Sequence, residues 1–376
     1  MPNVERFSEI FPSDWRDGIF LGRFNGPDGP TPVLIEQGRV YDMFAIAPTV
    51  SQLTNFLPVK SSDGVFLGHA DMLEPEILSP VDLHCIKACG VTFAASTIER
   101  VIEEHARGNP EKSLSIRNKL EKRLGGSLKN IIPGSKDAES LKNLLIHDGL
   151  WSQYLEVAIG PYAEIFTKAP VLSAIGFGGQ IGVRSDSCWN NPEPEIVLIV
   201  NGFGQAIGAT LGNDVNLRDL EGRSALLLGK AKDNNASCAI GPLIRLFDDH
   251  FTMSDIRQAE VTLKIDGADG YRLEGSSNMS EISRDPLELV RQTLSEHNYP
   301  DGFALFLGTL FTPVQDRDIP GAGFTHKTGD LVTISSQKLG TLRNTVATCD
   351  AAPPWTTGIA AFYEIIAKRQ TDLLLP

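Results

Sequence analysis

Glu193 and Glu195 are separated by a single proline and followed by the apolar run Ile196 to Val200. That run is β-branched and leucine-rich, so it reads as a strand. On a strand, residues i and i+2 point to the same face. Glu193 and Glu195 would then place two carboxylates side by side at the mouth of the strand. Carboxylates this close repel unless a proton or a cation lies between them. A second apolar run ends at Thr210-Leu211-Gly212 and delivers a third carboxylate, Asp214. Three oxygen ligands without a nearby His or Cys suit a hard divalent cation, magnesium or alternatively manganese, with positions left for water or substrate. The plain alternative is two glutamates on a solvated strand end, and Glu-x-Glu spacing by itself does not exclude it.

The elements that would position these residues are legible only in outline. Short apolar runs broken by Gly and Pro, such as Ile19-Phe-Leu-Gly-Arg and Pro32-Val-Leu-Ile-Glu, predict a small β-rich N-terminal domain over residues 1–80, with one helical patch from Val50 to Phe56. Leu73 to Pro80, with two prolines, reads as a linker. A catalytic domain would occupy residues 81–376. A helix is predicted from Ser96 through Arg107, and Ser96-x-x-Glu99 has the form of a capping box. Residues from about 108 to 150 are charged and helical in pattern, with Lys112, Arg117, Lys119, Lys122, Arg123 and Lys129, and read as a helical insertion. The chain becomes β-rich from Pro170 to Leu246. Its glycine clusters at Gly176–Gly182 and Gly202–Gly208 lack dinucleotide-binding spacing, and the second reads as a hairpin turn. Asp285-Pro286-Leu-Glu288 has the form of a capped helix start running to His297, and a last helix is expected from about Thr357 to Lys368.

Composition narrows the function classes. The chain of 376 residues is 41% hydrophobic and 22% charged, as expected of a globular protein. Its formal net charge of −13 argues against a nucleic-acid partner. A small anionic substrate stays compatible, because a bound cation inverts the local field. No apolar stretch is long enough to span a membrane, and the N-terminus has no basic region followed by a hydrophobic core. Cys85, Cys89, Cys188, Cys238 and Cys349 include no Cys-x-x-Cys pair and read as reduced thiols of a cytoplasmic protein. His84 beside Cys85 and Cys89 lacks the second ligand pair of a zinc site.

Glu193-Pro-Glu-Ile-Val, Asn213-Asp-Val-Asn-Leu-Arg-Asp219, Lys232 to Gly241-Pro242, Gly308-Thr309, Gly329-Asp330-Leu-Val and Gly340-Thr-Leu-Arg-Asn-Thr-Val346 follow one another in this order. In this series the chain resembles the fumarylacetoacetate hydrolase superfamily, and Gly90 to Glu99 occupies the place of that family's lid segment. The resemblance implies an α+β fold, a mixed β-roll catalytic domain with the small β-rich domain in front of it. It implies Glu193, Glu195 and Asp214 as metal ligands and Lys232 as the active-site lysine, with Lys230 two positions away as the alternative. Lys168 and Thr309 would hold the substrate carboxylate, and Glu99 would be the lid glutamate. Arg218 would serve the substrate or pair with Asp219. Two positions depart from the pattern. Ser96 stands where the family's C–C hydrolases carry a histidine, and Thr92 replaces the lid asparagine.

Without that imidazole, water attack on a carbonyl loses its obvious base. Within the superfamily, the Gly-Val-Thr-Phe lid and long N-terminal region look more like sugar-acid dehydratases acting on 2-keto-3-deoxy pentonates. The expected reaction is metal-dependent dehydration to 2,5-dioxopentanoate through an enolate. Lys232 would act near C3, Glu99 as the acid at the C4 hydroxyl, and Ser96 as a group orienting that hydroxyl or a water. The alternatives are a metal-dependent C–C hydrolase of an acylpyruvate or diketo-deoxy sugar acid, and a non-catalytic sugar-acid-binding protein. The resemblance further implies a homodimer or homotetramer.

Overall fold

The computed structural model describes residues 7–107, 109, 112, 131–147, 149, 151–313, 315–318 and 323–374. Its strands, in chain order, begin with β1 (Ile19–Gly26), β2 (Gly29–Glu36), β3 (Arg39–Asp42), β4 (Val65–His69) and β5 (Glu76–Leu78). β6 (Cys85–Gly90) and β7 (Glu164–Ala169) enclose the helical part of the chain. There follow β8 (Gln180–Val183), β9 (Asn190–Asn191), β10 (Pro194–Val200), β11 (Ala206–Asp214), β12 (Asn216–Leu217) and β13 (Cys238–Leu246). The last are β14 (Glu260–Asp266), β15 (Arg272–Asn278), β16 (Phe303–Phe306), β17 (Leu331–Ser336) and β18 (Gly340–Thr348).

One large mixed sheet runs in the order β4-β3-β2-β1-β13-β11-β10-β16-β6-β7, with β5 also pairing β1. A second sheet runs β15-β14-β17-β18-β8, and β9 pairs β12 separately. Every residue of β10 is buried. Ile196, Leu198 and Val200 belong to one apolar cluster, whereas Val197 and Ile199 join another with Phe306 and Ile240. The unbroken apolar run is therefore a strand covered on both faces, with its alternation divided between two cores. The turn at Gly202–Gly204 carries β10 into β11, as its glycines predict.

The N-terminal strands join the same hydrogen-bonded layer as the rest of the chain. β1 pairs β13 through Phe20↔Arg245 and Leu21↔Ile244. The expected linker at Leu73–Pro80 is corrected: it contains β5, which pairs Ile77 with Phe24 and Leu78 with Arg23. Pro75 and Pro80 flank that strand instead of interrupting it.

The helix expected to begin at Ser96 spans Ala94–Ala106. Its N-cap position is Phe93, which makes no side-chain cap, and Ser96 Oγ instead donates to the Phe93 carbonyl at 2.9 Å. The capping box is therefore not formed. A β-bridge from Phe93 to Ile282 ends the extended segment there, and Ala94-Ala95 are good helix formers placed directly after it. In the expected insertion, a helix covers Lys136–His147. Arg117, Lys119, Lys122, Arg123 and Lys129 lie outside the described residues. The two later helices span Pro286–Leu294, capped by Asp285, and Ile359–Leu374. No helix among the described residues is long and apolar enough to cross a membrane.

Candidate active site

Glu195 lies in β10 and Glu193 immediately precedes it, so both side chains take the same face. Asp214 closes β11, the neighbouring antiparallel strand, and its amide donates to the Glu193 carbonyl at 3.1 Å. Two adjacent strand ends thereby bring three buried carboxylates together. One oxygen from each of Glu193, Glu195 and Asp214 falls within 4.8 Å of the others, the one such group among the described residues.

Lys232 ends a short helix, Leu228–Lys232, and is buried, whereas Lys230 is exposed. Lys232 Nζ donates to Glu193 Oε2 and, at 2.9 Å, to Asp214 Oδ2. Burial alone would lower the pKa of this amine, but Asp214 and Glu193 outweigh it and hold it raised. Asp214 is correspondingly lowered: burial opposes ionisation, and Lys168 and Lys232 together overcome that penalty. Glu195 is held well above the usual carboxylate range, first by burial and then by Asp214 and Glu193. Its partners are the Gly308 amide at 2.7 Å and Thr309 Oγ1 at 3.2 Å, both neutral.

Lys168 and Thr309, expected at a substrate carboxylate, spend their contacts on the cluster. Lys168 Nζ lies 2.8 Å from Asp214 Oδ1 and also donates to the Val215 and Lys232 carbonyls. The expected Arg218–Asp219 pair is corrected. Arg218 Nε donates to Glu103 at 2.8 Å, its Nη2 lies 3.3 Å from Glu99, and its guanidinium stacks 5.0 Å from Trp189. Asp219 accepts from Ser187 Oγ and the Cys188 amide, both at 2.9 Å. Consecutive helical residues do not face one another, so one neighbour cannot serve the other. Ser96 is buried and bonded within its own helix turn.

Four further residues belong to the cluster without having been anticipated. Arg100 Nη2 donates to Glu193 Oε1 at 2.5 Å, and its Nη1 reaches Glu103 at 2.7 Å and Glu221 at 2.8 Å. Burial pushes the Glu221 carboxyl up to about 7, despite the pull of Arg100 and Lys232. Glu164 is likewise raised, mainly by burial, in a field that includes Arg100, Lys232, Glu193 and Asp214. Patterns that could have exposed three of them are present in the chain. Glu99, Arg100 and Glu103 follow Ser96 at the i+3, i+4 and i+7 spacing of a helix face, and Glu164, Phe166 and Lys168 alternate on one face of β7. Phe166 carries its ring to 5.9 Å from Lys232 Nζ.

Seven carboxylates (Glu99, Glu103, Glu164, Glu193, Glu195, Asp214, Glu221) thus share the region with four cationic side chains (Arg100, Lys168, Arg218, Lys232). The donor set fits a hard divalent cation: the oxygens converge, and Glu195 has no ion pair among the described residues.

Residues 159–347 match the fumarylacetoacetate (FAA) hydrolase C-terminal family, and the chain belongs to that family. Among curated relatives, it is 34% identical over 179 residues to the 2-dehydro-3-deoxy-D-arabinonate dehydratase of Saccharolobus solfataricus. It is 32% identical over 195 residues to the probable 2-keto-3-deoxyxylonate dehydratase of Haloferax volcanii. These matches cover 48% and 52% of this chain but only 57% and 64% of the relatives' own lengths. Among solved structures, a 2-keto-3-deoxy-D-arabinonate dehydratase complexed with magnesium and 2,5-dioxopentanoate aligns with a TM-score of 0.60 at 22% identity, over 88% of this chain and 98% of that one. That likeness establishes the shared fold.

Proposed function

We propose that the protein removes water from a 2-keto-3-deoxy pentonate to give 2,5-dioxopentanoate, at a divalent-cation centre formed by Glu193, Glu195 and Asp214. The observation that carries this reading is the trio of buried carboxylate oxygens within 4.8 Å of one another. The two dehydratase relatives support the substrate class. A divalent cation, magnesium in this reading, would polarise the 2-oxo group and so acidify the C3 protons.

The chain's own residues supply the proton transfers. Lys232, buried and directed between Glu193 and Asp214, is assigned to the C3 proton. Those two carboxylates keep it protonated in the metal-free cluster, and a cation held by them would lower its pKa toward the neutral form that can take the proton. The C4–O bond then breaks, and the hydroxyl leaves as water once a carboxylic acid protonates it. Glu99 and Glu164 are the candidates. Glu164 is the stronger, because burial favours its protonated form and an acid must hold its proton until the transfer. Tautomerisation of the dehydrated product, in which one C5–H proton and the C5 hydroxyl proton are lost while C3 and C4 each gain a proton, gives the terminal aldehyde. Arg218, beside Glu99, is assigned to the substrate's polar groups, while Lys168 and Thr309 brace Asp214 and Glu195. Ser96, turned to the Phe93 carbonyl, is assigned no proton transfer.

The test is to incubate metal-stripped protein, with and without magnesium, with each enantiomer of 2-keto-3-deoxy-pentonate and to quantify 2,5-dioxopentanoate. Magnesium-dependent product from either enantiomer supports the dehydratase. Absence of product from both, with a cation bound, refutes it, and release of pyruvate from acylpyruvates would then establish C–C hydrolysis.

A further inference from the structure

Each of the three clustered carboxylates is gripped on one oxygen by a donor of its own. The Gly308 amide holds Glu195 Oε2 at 2.7 Å, Lys168 Nζ lies 2.8 Å from Asp214 Oδ1, and Arg100 Nη2 lies 2.5 Å from Glu193 Oε1. The second oxygens of Glu193 and Asp214 both face Lys232 Nζ. Two of the outer donors belong to the sheet: Lys168 lies in β7, and Gly308 follows β16. Arg100 is different. It projects from the Ala94–Ala106 helix, and Glu103 and Glu221 fix the rest of its guanidinium. A planar fork held by three carboxylates has little freedom to follow Glu193 if that side chain rotates.

We infer that Arg100 is a positioning residue for the cation centre: by occupying Glu193 Oε1 it limits Glu193 to presenting one oxygen, and so favours a small octahedral cation over a larger one. The inference rests on the cation-site reading above. A carboxylate released from Arg100 could rotate and chelate through both oxygens. Calcium accepts such bidentate ligands at about 2.3–2.6 Å, whereas magnesium demands near-ideal octahedral geometry at about 2.0–2.1 Å. Loss of an outer partner of a metal ligand typically costs about 10–100-fold in affinity. Arg100 is also a positive charge that repels any cation, so its removal strengthens the attraction for magnesium and calcium alike. The ratio of the two affinities cancels that common contribution and isolates the geometric one.

The experiment is isothermal titration of the metal-stripped full chain with magnesium chloride and with calcium chloride, for the wild type, Arg100→Gln and Arg100→Lys. Circular dichroism checks the fold of each. The magnesium-to-calcium affinity ratio is expected to fall about tenfold or more in Arg100→Gln. Arg100→Lys keeps the charge but has no fork to span three carboxylates, so its ratio is expected to fall as well. If Arg100→Gln does not fold, Arg100→Lys decides alone. An unchanged ratio, including one in which both affinities shift by the same factor, overturns the role of Arg100 while leaving the centre standing. A folded wild type that binds neither cation overturns the centre itself.

Discussion

The backbone amide of Gly308 donates to Glu195 Oε2 at 2.7 Å, so the chain just after β16 helps to hold the carboxylate cluster. Gly308 adopts φ +105°, and a Cβ there would stand 1.9 Å from Thr92 Oγ1. Thr92 is itself pinned, donating to the Leu307 carbonyl at 2.7 Å. Gly308→Ala must therefore move the amide, the threonine or both. The expected outcome is at least a roughly tenfold loss of magnesium affinity by titration calorimetry, with far-ultraviolet circular dichroism unchanged. Wild-type affinity in the variant would mean that the amide contact is dispensable.

Lys232 neutralises Glu193 and Asp214 from between them. Removing one partner of a buried pair commonly costs about 3–5 kcal/mol, because the remaining charge is left uncompensated. Lys232→Met is expected to lower the melting temperature of the metal-free protein and to abolish turnover. Magnesium should raise the melting temperature of Lys232→Met by more than it raises that of the wild type, since it replaces the missing charge. Equal shifts in the two proteins would argue that the cation does not bind at these carboxylates.

The two candidate acids separate by substitution. Glu164→Gln keeps the shape of the side chain but removes its transferable proton, and should lower kcat by about 10²–10⁴-fold. Glu99→Gln should also lower turnover more than substrate binding, but by less than Glu164→Gln. Full activity in Glu164→Gln removes it as the acid and leaves Glu99.

Glu193→Ala and Asp214→Ala are expected to abolish metal-dependent turnover and leave the fold intact. Turnover that survives in both variants at saturating magnesium would break the link between this cluster and catalysis.

Asp330 lies in one of the blocks that signalled the family, yet its work is structural. It accepts from Arg317 Nη1 at 2.6 Å, Arg317 Nη2 at 2.7 Å and the Lys327 amide at 2.9 Å. Burial opposes its ionisation, but Arg317 and His326 overcome the penalty and lower its pKa to about 2, against an ordinary 3.8. Its stabilising contribution is therefore complete above pH 3.8 and lost as the pH falls through about 2. Asp330→Asn should cost on the order of 2 kcal/mol in chemical denaturation at neutral pH, and much less near pH 2. An equal loss at both pH values would show that lost packing, not charge, explains the effect.

Local periodicity carried the sequence reading as far as it went. The run Ile196 to Val200 had to be a strand, so Glu193 and Glu195 had to share a face. The spacing Ser96, Glu99, Arg100, Glu103 is a helix face whether or not the residues are read as a cap. The ordered blocks from Glu193 to Val346 were enough to indicate the family and its carboxylates. Tertiary structure decided which charges meet. Arg100 and Glu193 are 93 positions apart, and Arg218 and Glu103 are 115 apart, separations at which spacing along a chain says nothing about contact. β5 lay hidden between two prolines because its apolar partner, β1, is distant in sequence. The same holds for Glu221, which looks like an ordinary surface charge in the sequence. The ionisation of Glu164 and Glu221 is set by burial and by charged neighbours that only the folded sheet and the Ala94–Ala106 helix bring together.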